Sequence, residues 1–206
     1  IPVLIRTLQA LQAAQRVDEI IVATRECDLV EIADLCHTYG ISKCKKVIRG
    51  GESRAHSVML AALEASEGTE LLAVQDGARP LVTPALIDAV IHAAERCGAA
   101  APAVAVKDTI KEADSSGIVV RTLERSALRA VQTPQVFHTS LLMKAYRQPY
   151  RRQFTDDASV VEWAGGRVYL CEGEYSNIKI TTPIDRITAE ALLDLGSAGD
   201  RRKVVE

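Results

Sequence analysis

Aromatic side chains are scarce: one Trp, two Phe and five Tyr in 206 residues, 4% of the chain. The core must therefore be carried by Val, Ile, Leu and Ala, an aliphatic composition shared by many α/β proteins. An excess of one charge sign is lacking too. Lys and Arg number 25 against 27 Asp and Glu, a formal net charge of −2, so no global basic field recruits nucleic acid. An anionic ligand has to be held by local charges and backbone amides. No apolar run approaches the roughly 20 residues of a membrane span, and no signal-peptide pattern is visible at the start. The five cysteines, Cys27, Cys36, Cys44, Cys97 and Cys171, are odd in number and include no C-x-x-C pair. That argues against a zinc site or a disulfide framework. They read as reduced, buried or half-buried thiols of a cytoplasmic protein. The four histidines have no second His or Cys at ligand spacing and read as structural or surface residues. No G-x-G-x-x-G follows a strand, which sets aside a Rossmann dehydrogenase.

What is present alternates between two periods. Residues 2–15 place Leu4, Leu8 and Leu11 on one helical face, with Pro2 suited to the first turn. A strand is expected at 19–23, a helix at 28–39 that stops at Gly40, and a strand at 46–48. A helix over 53–65 takes Ser53 as its N-cap. A strand at 71–74, a helix at 84–97 ended by Gly98, and a strand at 99–106 follow. Short, continuously apolar strands between helices predict an α/β fold with a doubly wound, mostly parallel sheet. Residues 108–122 break the rhythm as a β-hairpin turning at Asp114-Ser115-Ser116-Gly117. It has little apolar surface of its own, so it is expected to pack on something else, such as a second subunit. Helices at 139–147 and 157–164, a strand at 168–172, an extended piece at 177–180 and a helix at 183–195 complete one domain over 1–195. Residues 196–206 read as a polar tail. The chain starts at Ile1 without a Met and already in a helix, from which a preceding segment is expected.

Polar residues concentrate where strands end, the place where open α/β sheets bind ligands. Gly50-Gly51-Glu52-Ser53-Arg54-Ala55-His56-Ser57 reads as a strand-to-helix turn. Its glycines allow close backbone approach, and its helix start offers free N–H groups to a base or phosphate. It reads equally as an ordinary capped turn. In Val74-Gln75-Asp76-Gly77-Ala78-Arg79-Pro80 an apolar strand delivers Asp76 to its carboxyl end. There Asp76 can hold Mg²⁺ on a nucleoside triphosphate or accept hydrogen bonds from substrate hydroxyls, and Arg79 can bind a polyol or a phosphate. The charges of Lys107-Asp108-Thr109-Ile110-Lys111, Arg121, Arg125 and Arg129 read as a solvated hairpin face. A Lys at position 179, on a short apolar strand, would be costly to bury unless an anion such as a phosphate pairs it.

Together these segments, with Gln132-Thr133-Pro134-Gln135 and Thr155-Asp156-Asp157-Ala158-Ser159, resemble the 2-C-methyl-D-erythritol 4-phosphate cytidylyltransferase family, in the family's order across residues 1–195. The resemblance implies a Rossmann-like nucleotidyltransferase fold with a protruding β-arm at 108–122. It also implies Mg²⁺, homodimerisation through exchange of that arm, and no membrane or nucleic-acid partner. The implied reaction is attack of the substrate phosphate on the α-phosphorus of CTP, giving CDP-methylerythritol and pyrophosphate in the non-mevalonate isoprenoid route. By resemblance, Gly51, Glu52 and Ser57 contact cytidine and Gly77 lies beside the nucleotide. Asp76, Arg79 and Thr109 contact the polyol. Lys179 and Arg125 are the catalytic pair that positions the substrate phosphate, Arg125 reaching in from a partner subunit. Thr133 and Thr155 supply further phosphate contacts. The family pattern usually has His before the aspartate and Ala after it; Gln75 and Gly77 stand there. Two other readings are a cytidylyltransferase for ribitol 5-phosphate and a non-catalytic nucleotide-binding module. The family's glycine-rich N-terminal loop, whose Arg and Lys stabilise the transition state, has no counterpart in residues 1–206. The polypeptide 1–206 alone is therefore expected to be nearly inactive. Pyrophosphate release from CTP and methylerythritol phosphate checks this, and robust turnover would contradict it.

Overall fold

Thr83, Pro84 and Gly98 bracket the helix around which the core is built. Thr83 accepts the Leu86 N–H, Pro84 opens the first turn, and Gly98 closes the helix at φ 84° with its N–H on Ala94 O. This arrangement suits proline at a helix start and glycine after its end. Between them Leu86, Ile87, Val90, Ile91 and Ala94 are buried at helical spacing. The computed structural model describes residues 1–148 and 154–197; residues 198–206 of the expected tail lie outside them.

The elements run α1 (Val3–Ala13), β1 (Ile20–Thr24), α2 (Leu29–Thr38), β2 (Cys44–Arg49), α3 (Arg54–Leu63), β3 (Leu71–Val74), α4 (Pro84–Cys97) and β4 (Ala99–Ala105). Then come β5 (Lys111–Ala113), β6 (Val119–Thr122), β7 (Arg129–Val131), β8 (Gln135–His138), α5 (Thr139–Tyr146), α6 (Asp157–Trp163), β9 (Tyr169–Glu172) and α7 (Pro183–Ser197). Strands β1 and β2 pair in parallel. The larger sheet runs β3-β8-β4, with β7 continuing along the same side of β4 and β9 on its other side. Its β4–β9 pair is parallel, while β8 and β7 are antiparallel to their neighbours.

Helices cover both faces of this sheet, and the residue alternation shows it. Val136 and Ala100 join the core formed with α1, α2 and α4. Their chain neighbours Phe137 and Ala99 join the second core, formed with α5 and α6. Strands buried on both faces have no polar side to show, hence their uninterrupted apolar runs. Ile5, Ile87 and Phe137 are fully buried, each contributing about 1.5–3 kcal/mol by burial. The sheet is mixed because β7 and β8 enter it, and neither was expected. Strand β7 is three exposed residues, and β8 begins with a buried Gln135 beside Pro134, which resembles a loop. Residues 177–180 were expected to be extended but form no strand; Ile180 donates a single backbone bond to Ala78 O. The thiols also differ from expectation: Cys27 and Cys97 are exposed.

Strands β1 and β3 are not paired with each other. Both line one open cleft of about 1120 Å³, walled by Leu4, Leu8 and Leu11 of α1 and Val58 and Ala61 of α3. The hairpin β5–β6 stands out from the body with every residue of both strands exposed. Its turn closes as expected, with Gly117 at φ 85° and the Asp114 carboxylate accepting from Ser116 and Ile118 N–H. Among the described residues no helix is long and apolar enough to cross a membrane.

Asp185 caps α7, accepting the Thr181 and Thr182 N–H groups at 3.0 and 2.7 Å and both hydroxyls. The backbone hydrogen bond from Thr181, followed by the bonds from Thr182, pulls its pKa from 3.8 to about 2. The unfolded state then binds the proton more readily, so this contribution is complete above pH 3.8 and disappears as pH falls toward 2. Asp185→Asn should therefore unfold with a shallower pH dependence than wild type between about pH 4 and 2. Urea melts at stepped pH measure this, and identical slopes would contradict it.

Candidate active site

Strand β3 ends at Val74, and the loop after it is tied down before it reaches Arg79. Asp76 N–H donates to Thr133 Oγ1 at 3.1 Å, and Arg79 N–H donates back to Asp76 O. Thr7 of α1 donates to Gly77 O at 2.9 Å, and a Cβ on Gly77 would lie 2.9 Å from a Leu4 methyl. Asp76 is thus held half-buried, with its side chain 15% exposed.

Three cations converge on that carboxylate. Lys179 Nζ lies 3.0 Å from Oδ2, Arg79 Nε 3.8 Å from Oδ2, and an Arg54 amino group 3.6 Å from Oδ1. Buried Asn177 explains how Lys179 arrives. Its amide donates to Thr133 O at 2.9 Å, and its carbonyl accepts from Arg79 at 2.6 Å. With Ile180 bonded to Ala78, the segment carrying Lys179 is fastened on both sides of that residue. Lys179 would be costly to bury without an anion; its side chain is 41% exposed, and the anion that pairs it is Asp76. Burial lowers the Arg79 pKa, opposed by the Asp76 charge. Arg79 Nε is buried without a hydrogen-bond partner, a donor that a ligand oxygen would satisfy.

The turn after β2 is folded by its own side chains. Ser57 Oγ accepts the Gly51 N–H at 3.0 Å and donates to Ser53 O at 2.9 Å, and His56 Nδ1 accepts the Glu52 N–H at 3.3 Å. A Cβ on Gly51 would fall 2.3–2.4 Å from the His56 ring, and one on Gly50 would fall 2.8 Å from Ser57 Oγ. These glycines leave room for the side chains that fold back over them. Ser53 caps α3 as expected, accepting the His56 N–H at 3.1 Å.

Thr155 is exposed just ahead of α6. Asp156 caps that helix through Ser159 at 3.0 Å, and Gln135 bonds the Asp156 carboxylate and the N–H groups of Asp157 and Ala158. Burial would raise the Asp156 pKa, but hydrogen bonds from Ser159 and Gln135, with the Arg54 charge, outweigh it and hold the pKa low. Fully buried Asp157 takes the Tyr146 hydroxyl on one oxygen and Arg54, at 2.7 Å, on the other. For Arg54, burial works to lower the pKa, but Asp157, Asp76 and Tyr146 raise it overall.

Asp76, Arg79, Thr133 and Lys179 are therefore brought together, with Gly77 in the same loop. Arg54 bridges them to the turn holding Gly51, Glu52 and Ser57. Thr109 and Arg125 are exposed at the root of the hairpin, and Arg125 donates to Lys107 O at 2.7 Å; no described contact links either to the cluster. Arg54, Asp157, Gln135 and Asn177 had not been singled out as site residues. Adjacent carboxylates at a helix start were the available signal: one caps, so the other must find a cation. Among the described residues no three His, Cys, Asp or Glu side chains converge as a metal cage. Asp156 and Asp157 are engaged internally and Asp76 is ringed by Lys179, Arg79 and Arg54, so a cation carried on nucleotide phosphates, as Mg²⁺ commonly is, would be held mainly by those phosphates.

A strand-end carboxylate ringed by cations beside a glycine turn, on a sheet covered by helices, suits an anionic ligand, and comparison places the chain among the nucleotidyltransferases. It belongs to the 2-C-methyl-D-erythritol 4-phosphate cytidylyltransferase family, whose profile matches residues 1–195. A Bacillus cereus protein of that name is 45% identical over 195 residues, covering 94% of this chain and 85% of the relative. A Geobacillus kaustophilus protein of the same name is 41% identical, covering 93% and 84%. The crystal structure of 4-diphosphocytidyl-2C-methyl-D-erythritol synthase from Anaerococcus prevotii superposes with TM-score 0.86 at 31% identity, over 94% of this chain and 86% of that one. The 2-C-methyl-D-erythritol 4-phosphate cytidylyltransferase structure from Thermus thermophilus gives 0.75 at 34% identity, over 93% and 89%.

The turn geometry predicts a compensated pair. Gly51→Ala should destabilise the fold by about 1–3 kcal/mol through overpacking. The double variant Gly51→Ala/His56→Ala should recover part of that loss, since the ring is removed while the His56 Cβ still lies 2.7 Å from the new methyl. Urea denaturation of the four proteins in the cycle measures this.

Proposed function

We propose that this enzyme transfers the cytidylyl group of CTP to 2-C-methyl-D-erythritol 4-phosphate, releasing pyrophosphate. The observation that carries the reading is the junction of Asp76, Arg79 and Lys179 at the end of β3, beside the Gly50-Gly51 turn, in a chain of this family. A phosphate oxygen of the acceptor attacks the α-phosphorus of CTP, the α–β anhydride bond breaks, and pyrophosphate leaves. The acceptor phosphate is already ionised at neutral pH, so no side chain has to remove a proton. Orientation and charge stabilisation are the protein's work.

In this reading Gly51, Glu52 and Ser57 receive cytidine, with Gly77 beside it. The polyol hydroxyls meet Asp76, Arg79 and Thr109. Lys179 exchanges its contact with Asp76 for the acceptor phosphate, and Thr155 adds a second contact there. Thr133 is 4% exposed and its hydroxyl accepts from Asp76 N–H, so it holds the loop rather than reaching the phosphate. Mg²⁺ would neutralise the triphosphate, held by its phosphate oxygens.

The exposed hairpin supports a homodimer. Ile118, Val119 and Val120 are 66%, 53% and 61% exposed, apolar surface that a second copy would cover, and exchange of the arm would carry Arg125 to the other subunit's acceptor site. Five free cysteines suit a reducing compartment such as the cytoplasm. The ribitol 5-phosphate reading is not favoured, since the relatives above carry the methylerythritol name.

Pyrophosphate release by the full-length protein tests the proposal. Methylerythritol phosphate should be used with kcat/KM at least ~100-fold above ribitol 5-phosphate, and Lys179→Met should lower kcat about 10²- to 10³-fold, the usual effect of losing one transition-state donor. Preference for ribitol 5-phosphate, or CTP binding without turnover, would overturn it.

A further inference from the structure

Asp157 is 0% exposed, so it touches neither solvent nor any ligand entering from it. Burying a carboxylate is costly unless each oxygen is engaged, and here the two oxygens are engaged differently. One takes the Tyr146 hydroxyl from α5. The other is paired by charge with Arg54, from the first position of α3, at 2.7 Å but without hydrogen-bond alignment. Capping does not require Asp157, because Asp156 and Gln135 already satisfy the start of α6. What Asp157 does is hold a guanidinium that would otherwise extend into solvent. Held there, Arg54 lies 3.6 Å from Asp76 Oδ1. Lys179 and Arg79 both approach Oδ2, so among the described residues Oδ1 faces Arg54 alone, outside hydrogen-bonding distance, with capacity to accept from a ligand hydroxyl. Arg54 also stands between two halves of the site: it follows the Gly51-to-Ser53 turn and reaches across to the Asp76 loop.

We propose that Asp157 and Tyr146 are positioning residues that hold Arg54 against Asp76 Oδ1, and so fix the Asp76 carboxylate that receives the acceptor polyol. The proposal rests on the reading above, in which Asp76 meets acceptor hydroxyls. Asp157 acts only through Arg54, and this separates it from a residue that merely supports the fold. Once Arg54 is gone, losing the charge at position 157 should cost catalysis nothing more.

The test is a double-mutant cycle in the full-length protein, with Asp157→Asn, Arg54→Ala and the pair, and Tyr146→Phe as a milder second probe. Pyrophosphate release gives kcat and KM for the acceptor, calorimetry gives the Kd for CTP, and thermal melts confirm folding. Asp157→Asn should lower kcat/KM for the acceptor about 10- to 100-fold, the range expected when a reacting group is misplaced by about an ångström. The Kd for CTP should change less than about twofold. The double variant should be no worse than Arg54→Ala, and Tyr146→Phe should shift the same parameter in the same direction, by less. Full multiplication of the two single effects, or an unchanged acceptor kcat/KM in folded Asp157→Asn, would overturn the proposal. If Asp157→Asn does not fold, Tyr146→Phe in wild-type and Arg54→Ala backgrounds decides by the same rule. Wild-type turnover separates the two levels: its absence sinks the functional reading and this proposal with it, whereas turnover with additive variants sinks this proposal alone.

Discussion

A single buried amide, that of Asn177, is the constraint on which the candidate site depends. Its side chain bonds the carbonyl of Thr133, and its own carbonyl receives Arg79. Thr133 in turn receives the N–H of Asp76. Three stretches far apart in the chain are thereby locked into one geometry without regular secondary structure. Loops at strand ends are normally the mobile part of an α/β protein. Here most of the polar groups that burial would leave unpaired are satisfied by one another, Arg79 Nε and Asn177 Oδ1 being left over, and that partial satisfaction holds the loops so that they carry charge at fixed positions.

The charges then restrain each other. Asp76 is surrounded by Lys179, Arg79 and Arg54, and Arg54 is shared with Asp157. Such a network has little charge to reorganise when an anion arrives, because cations already gathered around a carboxylate need only trade partners. Electrostatic preorganisation of this kind is what phosphoryl and nucleotidyl transfer require of a protein.

How far the sequence disclosed this depends on the range of the interactions. Helix α4 was legible because Thr83, Pro84 and Gly98 are local signals, as Ser53 was for α3 and Asp114 to Gly117 for the hairpin. Strand β3 was legible from four apolar residues followed by Gln75 and Asp76. Strand β8 was not, because Gln135 carries a polar side chain into the core to serve a helix more than 20 residues away, and periodicity cannot register that partner. Lys179 stood out as a cation needing an anion. That Asp76 would supply it depends on a contact across about a hundred positions, which no local pattern encodes. Asp157 carried a local signal, as the second of two carboxylates at a helix start, but Arg54 looks ordinary in its own segment, and only folding makes them partners.

The cleft between β1 and β3 has a different implication. An unpaired strand edge on the rim of a sheet is an open template for association with other sheets. These two edges face each other across a groove walled by Leu4, Leu8, Leu11, Val58 and Ala61. The two edges thus present backbone donors and acceptors that an extended segment lying between them would satisfy.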